Sequence, residues 1–71
     1  MKKLSIHIYC NGGSYQSDVD EYTEDMEDSL KSNIAELVSG SLPYMQFKSG
    51  NKLLYFPSEM CKQSIISIIE H

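Results

Sequence analysis

Near its end the chain reads SIISIIEH, which places Ile65, Ile66, Ile68 and Ile69 within five positions. Such a run presents apolar groups on every side, so the fold must supply surfaces to meet them. Read as a helix, Cys61, Ile65, Ile68 and Ile69 line up in a stripe. Read as a strand, the four β-branched side chains suit a pleated surface, but both faces become apolar. β-Branching favours the strand.

The segments upstream show what those isoleucines can pack against. KLSIHIYC alternates, with Leu4, Ile6, Ile8 and Cys10 on one face and Ser5, His7 and Tyr9 on the other. Asn11 to Gly13 tolerate positive φ and read as a turn, after which SYQSDV returns as a short second strand. From Val19 to Ser39 the period lengthens, and Tyr22, Met26, Leu30, Ile34, Leu37 and Val38 make one helical stripe. Asp18 can cap that helix with Glu21 three residues on, while Gly40 and Pro43 end it. YMQFKSGNKLLYFP reads as a hairpin turning at Gly50-Asn51. Its register sets Phe47 opposite Leu54 and Met45 opposite Phe56, with Gln46, Lys48, Leu53 and Tyr55 on the other side. PSEMCKQ suits a helical turn. The expected fold is therefore α+β, one domain over residues 1–71, in the order β-β-α-β-β-helical turn-β. A small antiparallel sheet has one main helix on one face.

A chain of 71 residues lies near the lower limit for independent folding, and a core this small gives about 3–5 kcal/mol without a staple. The start MKKLSIHIYC is basic but lacks a continuous apolar stretch, and no segment reaches the ~20 apolar residues of a membrane helix. The reading is thus a cytoplasmic protein with reduced thiols, so association takes the place of a disulfide. On the strand reading, His7, Tyr9, Leu53, Tyr55 and half of the set Ile65, Ile66, Ile68 and Ile69 emerge on the uncovered sheet face. A second copy of the chain is the expected cover, making a homo-oligomer. Burying two isoleucines per protomer contributes about 3–6 kcal/mol, comparable to the domain's own margin.

Most chemistry is excluded by pattern. His7 and Cys10 differ by an odd number of strand positions and point to opposite faces, so one cannot activate the other. Cys61 has no neighbour to lower its pKa, and His71 reads as mobile. CxxC and HxxxH spacings are missing, so no metal or cofactor is expected. DVDEYTEDMEDS fails as a calcium loop, with Thr23 where glycine is required and Ser29 where glutamate is. NGGS lacks the phosphate-loop patterns. The acidic run Asp20, Glu21, Glu24, Asp25, Glu27 and Asp28 partly complements a helix dipole, and Glu27 can pair with Lys31. Yet Asp20/Glu24, Glu21/Asp25 and Glu24/Asp28 would repel by about 0.2–0.5 kcal/mol each as helical neighbours. The ridge therefore reads either as a solvated face or as a dock for a basic partner.

Net charge of −4, with lysine as the only strongly basic residue type, argues against direct nucleic-acid binding. Abundant Lys and Ile without Arg or Trp suggests AT-rich codons. The strand, NGG turn, acidic helix and closing SGNKLLYFPSEMCKQSIISIIEH resemble short phage and prophage proteins of low-GC bacteria. In these a hairpin leads through a helical turn into an isoleucine-rich strand. That class includes anti-defence and host-takeover proteins, while the lack of catalytic groupings, the acidic helix and the surplus apolar face point to a small non-enzymatic oligomer that binds and inhibits a host protein. No functional residue transfers from the resemblance. Two alternatives stand beside this reading. One is an acidic DNA mimic directed at a nucleic-acid-handling protein. The other is sequestration of a nucleotide-like ligand between protomers, with Tyr9, Tyr15, Tyr44 and Tyr55 stacking on the base and Lys48 or Lys52 meeting phosphate.

Overall fold

The alternating segment Lys2–Cys10 forms strand β1, and the rest of the molecule is arranged around it. The computed structural model describes every residue from Met1 to His71. Asn11 and Gly12 both take positive φ, 50° and 78°, the type I′ pattern that matches the twist of the strands it joins. The chain returns as β2 (Gly13–Gln16), pairing Cys10 with Gly13 through His7 with Gln16. It then bulges and resumes as β3 (Asp20–Tyr22), pairing Leu4 with Asp20 through Lys2 with Tyr22. Gln16 to Asp20 takes four steps where His7 to Leu4 takes three, so one extra residue is accommodated. Ser17 stitches the bulge: its N–H donates to the Ile6 carbonyl and its Oγ accepts from the Ile6 N–H, both at 2.8 Å.

β3 displaces the expected start of the helix. β2 reaches only four residues of β1, and the backbone of Lys2–Leu4 needs partners of its own. Asp20–Tyr22 supply them, with Glu21 opposite Lys3. The helix α1 therefore runs Glu24–Ser39, with Thr23 as N-cap accepting from the Met26 N–H at 3.2 Å. Asp18 is not the cap. Its Oδ1 accepts from the Gly50 N–H at 2.9 Å, and its own N–H donates to the Lys48 carbonyl, which ties the bulge to a distant hairpin. Gly40, at φ 90°, closes α1 as expected, donating to the Glu36 and Leu37 carbonyls.

That hairpin, β4 (Tyr44–Ser49) and β5 (Lys52–Pro57), has the expected register, Met45 to Phe56 and Phe47 to Leu54. It is nevertheless a two-stranded sheet of its own, unbonded to β1. A single turn, α2 (Ser58–Cys61), then leads into β6 (Ile65–Glu70), which is a strand and pairs antiparallel with β1 on the edge opposite β2 and β3.

The molecule is thus α+β with antiparallel sheets and one main helix. The apolar face of β1 is covered by α1 together with the hairpin and α2, and not by the helix alone. Ile6, Ile8, Cys10, Leu37, Phe47, Phe56 and Cys61 form one buried cluster, with the Phe47 and Phe56 rings 4.9 Å apart. No helix is long and apolar enough to cross a membrane. Along α1, the inward edge of the stripe is Leu37, fully buried, with Leu30 and Ile34 half-buried, while Val38 is 42% exposed. Leu37→Ala should therefore cost about 2–5 kcal/mol in chemical denaturation. Val38→Ala should change stability by less than about 1 kcal/mol. Equal effects would show that the helix is turned differently.

Candidate functional site

The strand β3 and the helix α1 meet at an angle set by Thr23, and the space between them is an open groove of about 330 Å³. Tyr22 enters it from the strand; Asp25, Met26, Ser29, Leu30 and Asn33 enter from successive turns of the helix. The floor is apolar, and Met26 stays 48% exposed because nothing in the chain covers it. Burial first, and the Asp20 carboxylate second, raise the Tyr22 pKa above its ordinary 10.0.

The six ridge carboxylates divide by position. Asp20 and Glu21 lie on β3, so they are not helical neighbours of Glu24 and Asp25, and only Glu24/Asp28 keeps the repulsive spacing. Glu24, Asp25 and Asp28 are exposed and meet no lysine. Glu27 instead turns inward and is buried, bridging Lys2 Nζ at 3.2 Å and Lys31 Nζ at 3.6 Å. Its bond to Lys2 is the main cause of a pKa held below the ordinary carboxylate value, and the same pair raises that of Lys2. The bridge ties the start of α1 to β1 through Lys2 and engages Lys31 on the helix itself.

The expected interface residues are not brought into one surface. Tyr9, His7, Ile65 and Ile69 share the outer face of the β1 sheet, because Tyr9 pairs with Ile65 and Ser5 with Ile69. Ile66 and Ile68 face the core opposite Ile8 and Ile6. Leu53 and Tyr55 are exposed on the outward side of the separate hairpin. The residues considered for a nucleotide-like ligand are scattered as well. Tyr44 and Tyr55 pair on the hairpin at 5.8 Å, near Lys48, while Lys52 sits beside the turn. Tyr15 packs edge-on against Phe56 at 5.5 Å, and Tyr9 lies on the other sheet. None of them lines the groove.

Cys10 and His7 do occupy opposite faces. Both thiols are buried and free, and burial, then Cys10, push the Cys61 pKa above its ordinary 9.0. No group of three or more His, Cys, Asp or Glu side chains converges on a metal position. His71 is held in place, contrary to expectation. Its N–H donates to the Lys3 carbonyl at 2.8 Å and its Nε2 lies 2.7 Å from Ser5 Oγ, which also accepts from Gln16 Nε2 at 3.4 Å. This cluster satisfies Ser5, 1% exposed on an otherwise outward face. The alternation of KLSIHIYC gave no sign of it, since the partner is 66 residues away. Comparison with family models, curated proteins and solved structures finds no match.

The Glu27 bridge has a defined pH signature. A lowered carboxylate pKa contributes stability that is present at neutral pH and lost as pH falls through the native value. A raised lysine pKa contributes below the ordinary 10.5 and is lost as pH climbs through the native value. Thermal melts of Glu27→Gln should therefore depend less steeply on pH than wild type at both extremes. Parallel profiles would mean that the bridge is absent in solution.

Proposed function

We propose that this chain is a non-enzymatic interaction protein that captures a basic, apolar-anchored segment of a partner protein in the groove between β3 and α1. The carrying observation is the coincidence of an uncovered apolar floor (Tyr22, Met26 and Leu30) with the Asp25 carboxylate in the same lining, flanked along the helix by exposed Glu24 and Asp28, none of the three in a salt bridge. Either feature alone is common on protein surfaces. Together they match an amphipathic segment with lysine or arginine flanking an apolar anchor. Glu24, Asp25 and Asp28 set partner choice and association rate, while Met26 and Leu30 supply the contact area.

The phage-like organisation of the sequence supports inhibition of a host protein as the biological role, and nucleic-acid-handling proteins are natural candidates because their surfaces are basic. The scattered tyrosines and lysines give the nucleotide-ligand reading no comparable support.

Titration calorimetry with a lysine-rich amphipathic peptide should show binding that weakens as salt is raised. The triple variant Glu24→Lys, Asp25→Lys, Asp28→Lys should lose at least about tenfold in affinity while keeping its circular dichroism spectrum. It should also fail to capture whatever partner the wild type retains from lysate. Unchanged binding by the folded triple variant would remove the groove from any functional role.

A further inference from the structure

The strand edges of this molecule are not treated alike. The β2–β3 edge is interrupted by the bulge at Ser17 and carries Asp20 and Glu21. The hairpin has Lys48 on one strand, and Lys52 and Pro57 on the other. These are the features that discourage strand addition. β6 has none of them along Ile65–Ile69. It contains no lysine, proline or bulge, and β1 is its sole strand partner. Ile66 and Ile68 face the core yet remain half-buried, whereas Ile6 and Ile8 beside them are 4% and 0% exposed. The missing cover lies beyond the edge.

We propose that β6 is the seam of a homodimer, pairing antiparallel with β6 of a second copy about a twofold axis at Ser67. The segment IISII is a palindrome about that residue. Antiparallel pairing keeps directly opposed residues on the same face, so the core faces of both copies lie on one side. Centred on Ser67, the register sets Ile66 against Ile68 of the second copy on the core side and Ile65 against Ile69 on the outer side. Every isoleucine meets an isoleucine, and Glu70 meets Ser64 with no like-charge pair. Moving the centre to Ile68 would instead place Glu70 opposite Ile66 on the core side.

The backbone is already oriented for this. Because the His71 N–H donates to Lys3, the odd-numbered residues of β6 bond towards β1. Those of Ile66 and Ile68 point outward, and in the proposed register they bond to each other across the axis. The seam is separate from the groove, so either can fail without the other. It also replaces the sheet-face interface expected from sequence with a sheet-edge one.

Ser67 then forms a non-hydrogen-bonded pair with itself, with Cα atoms about 4.5 Å apart. That spacing is within the range a disulfide spans. The test is analytical ultracentrifugation of the full chain, with mild oxidation of Ser67→Cys and of Leu53→Cys as an exposed control. The expected result is a wild-type dimer at micromolar concentration, near-complete crosslinking of the Ser67→Cys protein and little of the control. Ser67→Lys, which opposes two charges at the axis on an exposed face, should sediment as a folded monomer. A wild type that stays monomeric at about 100 µM would overturn the seam. So would a dimer in which Ser67→Cys crosslinks no faster than Leu53→Cys, because association would then use another surface.

Discussion

The backbone of β1 must be satisfied on two edges and covered on one face by a chain with few residues to spare, and the rest of the structure follows from that demand. β2 meets only the end nearest the first turn, so the chain bulges at Ser17 and uses Asp20–Tyr22 for the other end. β6 takes the opposite edge along Leu4–Tyr9. The apolar face receives Leu37 from the helix, Phe47 and Phe56 from the hairpin and Cys61 from the last turn. The hairpin does not pair with β1, whose two edges are taken by β2–β3 and β6, and its aromatic side instead lies over the apolar face as a lid.

The candidate groove arises from the same demand. Spending Asp20–Tyr22 on β1 delays the helix to Thr23 and brings Tyr22 in as a strand residue facing Met26 and Leu30. The Glu27 bridge then anchors the first turns of α1 to Lys2, while Asp25 in the groove lining and its helix neighbours Glu24 and Asp28 form no salt bridge. A bridge of this kind positions elements more than it stabilises them, since half-exposed lysines are well screened.

Local patterns carried much of the fold. The alternation around Ile6, the type I′ turn at Asn11, the closure at Gly40 and the hairpin register at Gly50 were legible because each is decided within a few residues. The helix start was not, because Asp20–Tyr22 fit a helical period and were claimed by a distant strand. Nor was the separation of the hairpin from the main sheet, since the alternation of Phe47 and Phe56 fixes which side is apolar and not which sheet it joins. Of the ridge, the Glu27–Lys31 pair was readable at helical spacing, but the larger role of Lys2 was hidden by 25 residues of separation. The Ser5–His71 contact lay beyond any pattern for the same reason.

Residue-resolved amide exchange tests the central position of β1 most directly. Antiparallel alternation sends the even-numbered amides of β1 towards β2 and β3, and Ser5, His7 and Tyr9 towards β6. With both edges of β1 paired, exchange should be slow, close to the global unfolding limit, at both parities from Leu4 to Tyr9. Fast exchange at Ser5, His7 and Tyr9 alone, with Ile6 and Ile8 protected, would show that β6 is not docked and would contradict the arrangement described.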